Sequence, residues 1–401
     1  MRADRRRVLI LVENLSVPLD RRVWQESLAL RQAGYEVVVV CPQGRGRDTE
    51  PFVRIEGVEI HRFPLVPSGG GVLGYAREYT QAMWRMRRLV RRLARSQRFD
   101  VVHACNPPDF LLLAALLLRR RGARFVFDHH DLVPELYLSK FGRGRDFLYR
   151  VVLAFERLSF RLAHVVLATN ESYRRVALMR GGKAPDNVFV VRNGPDLVRF
   201  QPTQPDPEMR RRARYLIAYV GMMGPQDGVD HALRALAILR ELREDWHAVF
   251  VGDGDALPAM RRLSIDLALF ENVDFTGIKS QDEVVRILAS ADVCLSPEPS
   301  NPLNDVSTMI KVAEYMAMEK PVVCYDLPET RFTANGAACY ATRDGEGNLA
   351  RCLDELLDDD ARRAAMGTLG RRRVEEVLAW EHSVPSLLAG YERALAQDAP
   401  L

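Results

Sequence analysis

The chain has few of the features that would place it outside the ordinary globular proteins. Its six cysteines contain no C-x-x-C pair, so we predict reduced thiols and neither a disulfide framework nor a zinc site. The longest apolar run, Phe110 to Leu118, is far shorter than the roughly 20 residues of a membrane span. The basic N-terminal lead precedes an apolar run too short for a signal peptide. These absences favour a cytoplasmic location.

Length and composition predict two folded domains. The chain has 401 residues, of which 47% are hydrophobic and 27% charged. That length exceeds what one hydrophobic core usually supports, and the composition is typical of a globular protein without long disordered regions.

The net charge of +4 conceals two oppositely charged halves. Residues 1–200 contain 35 Lys and Arg against 20 Asp and Glu, a balance of +15, and residues 201–401 contain 22 against 33, a balance of −11. A basic first half favours a partner such as an anionic membrane surface or a phosphorylated substrate. An arginine-rich proteome would explain the same counts equally well.

Hydrophobic patterning predicts an α/β fold that is built twice. Short apolar runs alternate with helical periodicity, which is typical of parallel sheets wound with helices. In the first half we expect strands at Arg7–Glu13, Val37–Cys41, Val101–Ala104, Phe125–Asp128, Val165–Ala168 and Val188–Arg192, with helices at Arg21–Ala33 and Leu111–Leu118. In the second half we expect strands at Ile217–Val220, Ala248–Val251, Val273–Phe275, Val293–Leu295 and Pro321–Tyr325, with helices at His231–Glu241 and Glu283–Ser290.

The proline-rich stretch Pro202 to Pro207 is interpreted as an interdomain linker. We therefore predict an N-terminal domain at 1–200, a C-terminal domain at 201–380, and a terminal helix at 381–401 that packs back on the N-terminal domain. Two such halves are expected to leave a deep cleft at the carboxyl ends of their sheets, where open α/β sheets bind ligands.

Several motifs resemble those of the retaining glycosyltransferases of family 4, also called group 1. They are Val191 to Asp196 (VRNGPD), Tyr219 to Gly221 (YVG), Val251 to Gly254 (VGDG), Phe275 to Gly277 (FTG), Lys311 to Ala317 (KVAEYMA) and Lys320 to Val323 (KPVV). The stretches from Glu13 to Glu26 and from Phe127 to Glu135 look like the branch that assembles bacterial surface polysaccharides.

The resemblance implies the GT-B fold, with two Rossmann-like domains facing each other across the cleft. It also implies a metal-independent, retaining transfer of sugar from a nucleotide-sugar, with a UDP-sugar as the expected donor. The expected acceptor is a saccharide or a polyprenyl-diphosphate-linked lipid. No metal or other cofactor is expected, because the free N–H groups and the positive dipole end of the helix that carries Glu314 can hold a diphosphate. The resemblance also implies that the leaving diphosphate helps to deprotonate the acceptor hydroxyl, so no general base is assigned.

The resemblance assigns the donor site to the second half. Glu314 matches the glutamate that accepts hydrogen bonds from the nucleotide ribose, and Lys311 lies on the same helical face. We expect their helix to run from about Val306 to Met318, with Glu314 near its start. Other expected donor contacts are Gly221, Gly224, Gly228, Gly252, Asp253, Gly277, Ser307 and Thr308. An intrahelical salt bridge would explain Lys311 and Glu314 without function, and a plain helix cap would explain Ser307 and Thr308.

Two departures from the family pattern concern the same site. The Glu-x7-Glu pair lacks its first glutamate, because position 306 is valine, and Asp305 is the nearest substitute carboxylate. The loop after the first strand of the second half carries Met222 and Asp227 where the family has Arg and Lys. We expect the missing positive charge to come from Lys311, or from Arg21 and Arg22 in the N-terminal half.

In the first half, His130 matches the histidine that contacts the donor sugar. Together with Asp305 and Glu314 of the second half, it completes the set of predicted catalytic residues. His103 also ends a strand. Its position is equally compatible with a contact to the acceptor and with burial in the core. Residues expected to face the acceptor or phosphate are Ser16, Arg21, Arg22, His103 and Asn193.

A basic amphipathic helix is predicted from Ala82 to Phe99, with arginines at 85, 87, 88, 91, 92, 95 and 98. Such a helix suits an anionic membrane leaflet, although the solvated face of a domain helix has the same composition. We therefore expect peripheral association with the inner face of the cell membrane. The basic run lacks interleaved aromatics, so no nucleic-acid partner is expected.

Two alternatives remain open from the sequence. One is an enzyme of the same fold that resembles UDP-N-acetylglucosamine 2-epimerase, and the other is a catalytically silent subunit. The spacing around Asn193 and Glu314 favours the transferase. The missing first glutamate and the missing Arg/Lys pair favour the silent subunit.

Overall fold

The computed structural model describes residues 6–44, 46, 48–65, 71–141, 144–342 and 345–397. The basic lead at residues 1–5 and the last four residues lie outside this set. The chain divides into two compact units, one comprising Met1–Arg192 and Ser383–Leu401, the other Asn193–His382.

The described residues of the first unit before residue 192 form eight strands and six helices. The strands are β1 (Arg7–Leu11), β2 (Glu36–Pro42), β3 (Phe52–Ile55), β4 (Val58–Phe63), β5 (Val101–Cys105), β6 (Arg124–His129), β7 (Val165–Ala168) and β8 (Val188–Val190). The helices are α1 (Arg21–Gln32), α2 (Gly71–Ser96), α3 (Leu112–Arg119), α4 (Val133–Phe141), α5 (Phe147–Leu162) and α6 (Glu171–Met179).

The second unit contains six strands and seven helices in its described residues. The strands are β9 (Tyr215–Val220), β10 (Trp246–Val251), β11 (Val273–Gly277), β12 (Val293–Ser296), β13 (Val322–Tyr325) and β14 (Ala338–Ala341). The helices are α7 (Val229–Leu242), α8 (Leu257–Asp266), α9 (Gln281–Ser290), α10 (Ile310–Ala317), α11 (Pro328–Ala334), α12 (Glu346–Leu357) and α13 (Asp360–Arg373). The final helix, α14 (Val384–Ala396), groups with the first unit.

Both sheets are doubly wound. The first has the order β3-β4-β2-β1-β5-β6-β7-β8, and all its neighbours are parallel except β3 with β4. The second has the order β11-β10-β9-β12-β13-β14 and is entirely parallel. The strand order reverses between β1 and β5 in one unit and between β9 and β12 in the other. Ligands of open α/β sheets bind outside the carboxyl ends of the strands at such a reversal.

Strand β9 shows how the second unit builds a core on both faces of its sheet. Ile217 and Tyr219 pack into one cluster with Trp246 and Leu353, whereas Ala218 points to the other cluster with Tyr315. Successive side chains of a strand face opposite sides. Because helices cover both faces, the strand is apolar at every position, and its sequence lacks the alternation of a half-exposed strand.

Local sequence explains where several helices begin. Asp20 caps α1 by accepting a hydrogen bond from the backbone N–H of Val23 (3.1 Å). Ser280 and Glu283 form a reciprocal capping box at the start of α9.

The boundary between the units falls ahead of the stretch Pro202 to Pro207. Phe200 is buried in a core cluster of the second unit, and Gly194 fits against the backbone of Leu378 and Trp380. The segment just before the prolines therefore belongs to the second unit, because its side chains are buried there. The basic helix is also longer at its N-terminus than the sequence predicts, since α2 begins at Gly71 and ends at Ser96.

Candidate functional site

Three glycine turns meet at the carboxyl end of the second sheet. Gly221 follows β9, Gly252 follows β10 and Gly277 ends β11. The N–H of Gly221 donates to Val251 O (3.0 Å), and the N–H of Gly252 donates to Gly277 O (3.0 Å). The structure therefore brings three of the predicted donor-site glycines into one hydrogen-bonded surface.

Gly252 and Gly254 have no room for a side chain. A Cβ on Gly252, whose φ is +139°, would overlap the carbonyl oxygen of Gly221. A Cβ on Gly254 would lie 2.5 Å from Met223 O. Between them, Asp253 accepts a hydrogen bond from Met223 N through its carbonyl and from Gly254 N through its side chain. Asp253 thus stabilises the turn itself.

The loop from Gly221 to Gly228 is fixed from within and from the neighbouring segment. The Asp227 carboxylate accepts a hydrogen bond from Gly224 N (2.8 Å), and Asn304 Nδ2 donates to Gln226 O (2.9 Å). Burial raises the pKa of Asp227. Gly228 has a φ of +66° and directly precedes α7. A rigid glycine loop of this kind can present backbone N–H groups to a phosphate.

Lys311 lies directly beneath this loop. Its Nζ is 3.1 Å from the Tyr219 hydroxyl and 2.5 Å from Glu298 Oε1. A Cβ on Gly221 would lie 2.9 Å from Lys311 Cε, so the glycine makes room for the lysine. Burial by itself lowers the pKa of Lys311, but Glu298, Tyr219, Tyr315 and Asp227 together more than offset this, and the pKa lies well above its usual value. The group is therefore a permanent cation.

Glu298 is a site residue that the sequence analysis missed. It follows β12, on the other side of the strand reversal from Gly221, and it is 1% exposed. Ser296 Oγ donates to Glu298 Oε2 (2.6 Å), which leaves Oε1 to Lys311. The sequence did contain a signal for Glu298, because this residue lies between Pro297 and Pro299 just after a buried strand, where side chains of the sheet edge reach the site.

The helix that carries Glu314 begins later than predicted. Ser307 is in an extended conformation after a turn at Asn304–Val306, and α10 begins only at Ile310. Glu314 is therefore the fifth of eight helical residues, where it is 8% exposed. The helix is anchored to β9, because Val220 N donates to the Tyr315 hydroxyl (2.8 Å).

Ser307 and Thr308 do not form the helix cap. Met309 is the N-cap residue, and its own side chain makes no capping hydrogen bond. Ser307 Oγ instead donates to Leu303 O (2.8 Å). Asp305, the predicted substitute carboxylate, is partly buried and accepts a hydrogen bond from Ser300 Oγ (2.9 Å).

In the first unit, Asn106 organises the end of β6. Its Oδ1 accepts hydrogen bonds from the backbone N–H of His130 (2.8 Å) and of Asp131 (3.0 Å). Its Nδ2 donates to Asp131 O (2.6 Å) and to Asp109 Oδ1 (2.9 Å). Asn106 follows β5, at the strand reversal, and fixes the backbone of the loop that carries His130.

His130 is a neutral imidazole at physiological pH. Burial lowers its pKa to about 4, although the Asp128 carboxylate, 3.6 Å from Nδ1, acts in the opposite direction. Nε2 has no hydrogen-bond partner in the described part of the chain. A neutral ring with one uncommitted nitrogen can donate or accept a single hydrogen bond.

Two carboxyl groups at the same sheet edge have raised pKa values. Burial, reinforced by Glu78, raises the pKa of Glu13 to about 8, and burial with Asp20 and Asp128 raises that of Asp131 to about 7. Glu13 directly follows Val12 after β1 and is 3% exposed.

The expectation that Arg22 faces a phosphate is corrected by its burial. Its guanidinium donates two hydrogen bonds to Asp128 (2.8 and 2.6 Å) and one to Val191 O (2.8 Å). Its side chain is 5% exposed. Arg22 lies on the face of α1 that packs on the sheet, so its charge holds Asp128 and is not presented to a ligand.

His103 and Ser16 are buried as well. His103 is fully buried and its Nδ1 lies 2.7 Å from the Tyr391 hydroxyl of α14, which places it in the core. Ser16 Oγ donates to Asp48 Oδ2 (3.0 Å). By contrast, Arg21 is exposed and Asn193 is partly exposed.

One group of side chains among the described residues has the spacing of a metal site. Ligand atoms of Glu26, His103, Cys105 and Asp128 lie within 4.8 Å of one another. Arg22 already occupies both oxygens of Asp128, and burial raises the pKa of the Cys105 thiol well above its usual value. A cation would have to displace an arginine and deprotonate a buried thiol, so this is a polar network of the core.

Family models match both units. A model described as "Glycosyl transferase 4-like domain" matches residues 19–194, and one described as "Glycosyl transferases group 1" matches residues 214–359. MMP alpha-(1->4)-mannosyltransferase from Mycolicibacterium hassiacum is 30% identical over 310 residues, which are 75% of this chain and 72% of that protein. The chain belongs to the group 1 glycosyltransferases.

Other relatives within the family act on different molecules. A GDP-mannose-dependent mannosyltransferase from Corynebacterium glutamicum is 30% identical over 47% of this chain and 52% of its own length. A 2-deoxystreptamine glucosyltransferase from Streptomyces kanamyceticus is 26% identical over 62% of this chain and 65% of its own length. The match thus spans about half to two thirds of these two relatives.

Solved structures of glycosyltransferases share the fold, which confirms the predicted GT-B class. Sucrose-phosphate synthase from Thermosynechococcus elongatus superposes with a TM-score of 0.79 at 18% identity, covering 98% of this chain and 100% of that one. The Anabaena protein HepE, solved in complex with UDP-glucose, has a TM-score of 0.71 at 15% identity, covering 96% and 99%.

Among the described helices of this glycosyltransferase, none combines the length and the hydropathy that crossing a bilayer requires.

Proposed function

We propose that the chain transfers a sugar from a UDP-sugar to a saccharide or lipid-linked acceptor, with retention of configuration and without a metal ion. The observation that carries the proposal is the arrangement at the strand reversal of the second unit. Three glycine turns share one surface there, with the cation of Lys311 beneath it and Glu314 on the adjoining α10.

The donor nucleotide would bind to this surface. Backbone N–H groups of the loop from Gly221 to Gly228 would approach the diphosphate, and Glu314 would accept hydrogen bonds from the ribose hydroxyls. UDP is favoured as the nucleotide because HepE, which has the same fold, was solved in complex with UDP-glucose.

Metal independence is supported by the way Lys311 is held. A lysine with a raised pKa supplies a fixed positive charge at the loop that would otherwise require a bound cation. Part of its charge is neutralised by Glu298, which holds the ammonium group in place beneath the loop. A group that is positioned before the reaction costs no reorganisation when the diphosphate departs.

His130 would take part as a hydrogen-bonding group and not as an acid. Its pKa of about 4 keeps it neutral across the physiological range, and its Nε2 is uncommitted within the described residues. It would position the donor sugar, while the leaving diphosphate would accept the proton of the acceptor hydroxyl. No protein base is then required.

The acceptor would be reached at a membrane surface. The first unit carries the basic helix α2, whose exposed arginines include Arg88, Arg91, Arg92 and Arg95. Peripheral binding to the inner face of the cell membrane would bring a polyprenyl-diphosphate-linked acceptor of surface polysaccharide synthesis within reach.

A thermal-shift panel with UDP, GDP and ADP, each with and without EDTA, tests the donor proposal. One nucleotide should stabilise the protein by about 2.7 kcal/mol at 100 times its dissociation constant, and EDTA should not change the shift. A shift abolished by EDTA would contradict metal independence. No shift with any nucleotide would contradict the donor site and favour the silent subunit.

A further inference from the structure

An apolar groove lies on the first unit between α2, α3 and α5. It is an open groove of about 610 Å³, a volume within the roughly 300–1,000 Å³ of small-molecule sites. None of the residues described above at the carboxyl edge of the sheet lines it, although Phe110 directly follows Asp109, which Asn106 holds at that edge.

The floor of the groove is a row of aromatic rings from three helical segments. Tyr79 packs edge-on against Phe110, with ring centroids 5.5 Å apart, and Phe110 packs edge-on against Phe155, with centroids 5.8 Å apart. Met83 and Leu113 complete the apolar walls. Edge-on aromatic pairs of this kind contribute stability beyond that of their burial, which stabilises the floor.

Three arginines on α2 line the same groove: Arg87, Arg88 and Arg91. The Arg88 guanidinium lies over the ring of Trp84, 4.9 Å from its centroid, and Trp84 is 58% exposed. Charge and apolar surface thus occur side by side, which suits a ligand with an anionic head and a hydrocarbon tail.

The apolar surface continues along α5. Leu148, Phe155 and Leu158 share one face of this helix by their spacing, and Leu148 and Leu158 are exposed while Phe155 lines the groove. The apolar strip is therefore longer than the groove and could lie against a layer of lipid chains.

We propose that this groove is a binding site for one anionic phospholipid of the bilayer. Its phosphate would pair with Arg87, Arg88 and Arg91, and one of its acyl chains would lie on the row of aromatic rings. The inference rests on the membrane association in the proposed function and deepens it, because adsorption of a basic helix alone requires no groove.

Flotation with vesicles tests the charge requirement, using the full-length protein without donor or acceptor. Wild type should bind phosphatidylglycerol vesicles and not phosphatidylcholine vesicles. The triple variant R87Q/R88Q/R91Q should bind about 100-fold more weakly, at roughly fivefold per arginine near the surface. The matched triple R92Q/R95Q/R98Q removes the same charge from positions outside the groove, and it should lose clearly less than the groove triple because these arginines would not pair with the bound phosphate.

Chain insertion is tested separately from charge. Leu113→Trp fills the groove but keeps every arginine, and it should weaken binding at least as much as the arginine triple. Trp84 is the most exposed of the four tryptophans, so phosphatidylglycerol with brominated acyl chains should quench its fluorescence. Trp84→Phe should remove the quenched signal.

Two results would overturn the lipid site and leave only diffuse adsorption. One is an equal loss of vesicle binding in both arginine triples. The other is full vesicle binding by Leu113→Trp with unaltered thermal stability. Absence of binding to either vesicle would overturn it as well. The nucleotide-dependent thermal shift is measured without vesicles, so a failure of the donor proposal is seen independently of the lipid result.

Discussion

Lys311 and Glu298 form a buried ion pair across the strand reversal of the second unit, 2.5 Å apart. One partner comes from α10 and the other from the segment after β12. The pair supports the loop that begins at Gly221 from below, so folding of the unit and charge at the proposed donor site depend on the same contact.

Removing either member of this pair should destabilise the protein. Glu298→Gln leaves an ammonium group without its carboxylate in a buried position, for which we expect a loss of about 3–5 kcal/mol. Denaturant unfolding of Glu298→Gln, Lys311→Met and the double variant measures it. The double variant should lose less than the sum of the two single variants, because it leaves no unpaired charge.

The exposed pair Arg54 and Glu59 serves as the control. Its equivalent substitutions should each cost about 0–1 kcal/mol. If Glu298→Gln costs no more than Glu59→Gln, the buried pair is not a determinant of stability.

Glu314→Gln should weaken nucleotide binding without unfolding the protein. A hydrogen bond to a charged group contributes about 1.5–3 kcal/mol, which corresponds to roughly 10- to 100-fold in the dissociation constant. Titration calorimetry with UDP measures the change. Glu376→Gln, on an exposed glutamate of the same unit, should bind as wild type, and equal affinities of the two variants would remove Glu314 from the site.

Gly252→Ala should abolish the nucleotide-dependent thermal shift. The added Cβ overlaps Gly221 O, and a φ of +139° is unfavourable for alanine. The two glycine turns must then separate, which displaces the backbone N–H groups expected to face the diphosphate. Gly347→Ala is the matched change, since a Cβ there meets nothing within 4 Å inside α12. It should be neutral or stabilising by up to about 1 kcal/mol.

Glu13 should make the protein less stable as the pH rises. Its pKa is about 8 in the folded protein and near 4.5 when exposed, so the folded state retains a proton that the unfolded chain has lost. The stability that this adds is complete below pH 4.5. It falls as the pH rises toward 8, at up to about 1.4 kcal/mol per pH unit.

Thermal unfolding of wild type and Glu13→Gln between pH 5 and 9 measures this effect. The variant should show a shallower decline, whereas Glu171→Gln, on a surface glutamate whose side chain is 60% exposed, should follow wild type. Parallel curves for wild type and Glu13→Gln would show that Glu13 does not titrate in this range.

Much of the fold was predictable because local pattern determines it. The order of strands and helices follows from apolar runs that alternate with helical periodicity, and the short strands at Val101 and Val165 lie within a residue of their predicted ends. The glycines of the second unit were predictable for a similar reason, since only glycine fits the conformations of Gly228 and Gly252.

The start of α10 was not predictable from periodicity. Residues 306–309 continue the apolar pattern of the helix. The turn at Asn304–Val306 and the hydrogen bond from Asn304 to Gln226 nevertheless keep this segment outside the helix. That contact joins segments 78 residues apart, and no local rule contains it.

The sequence by itself determined the family, the two α/β units and the positions of the glycine turns, because each of these depends on neighbouring residues and their backbone preferences. Only the tertiary structure decided which charged side chains are available to a ligand. Arg22 and Lys311 are both cations in stretches that resemble the family, yet one is committed to Asp128 in the core and the other to Glu298 beneath the glycine loop. Burial and pairing arise from segments distant in the chain, and they set the chemistry of a charge more strongly than its residue type.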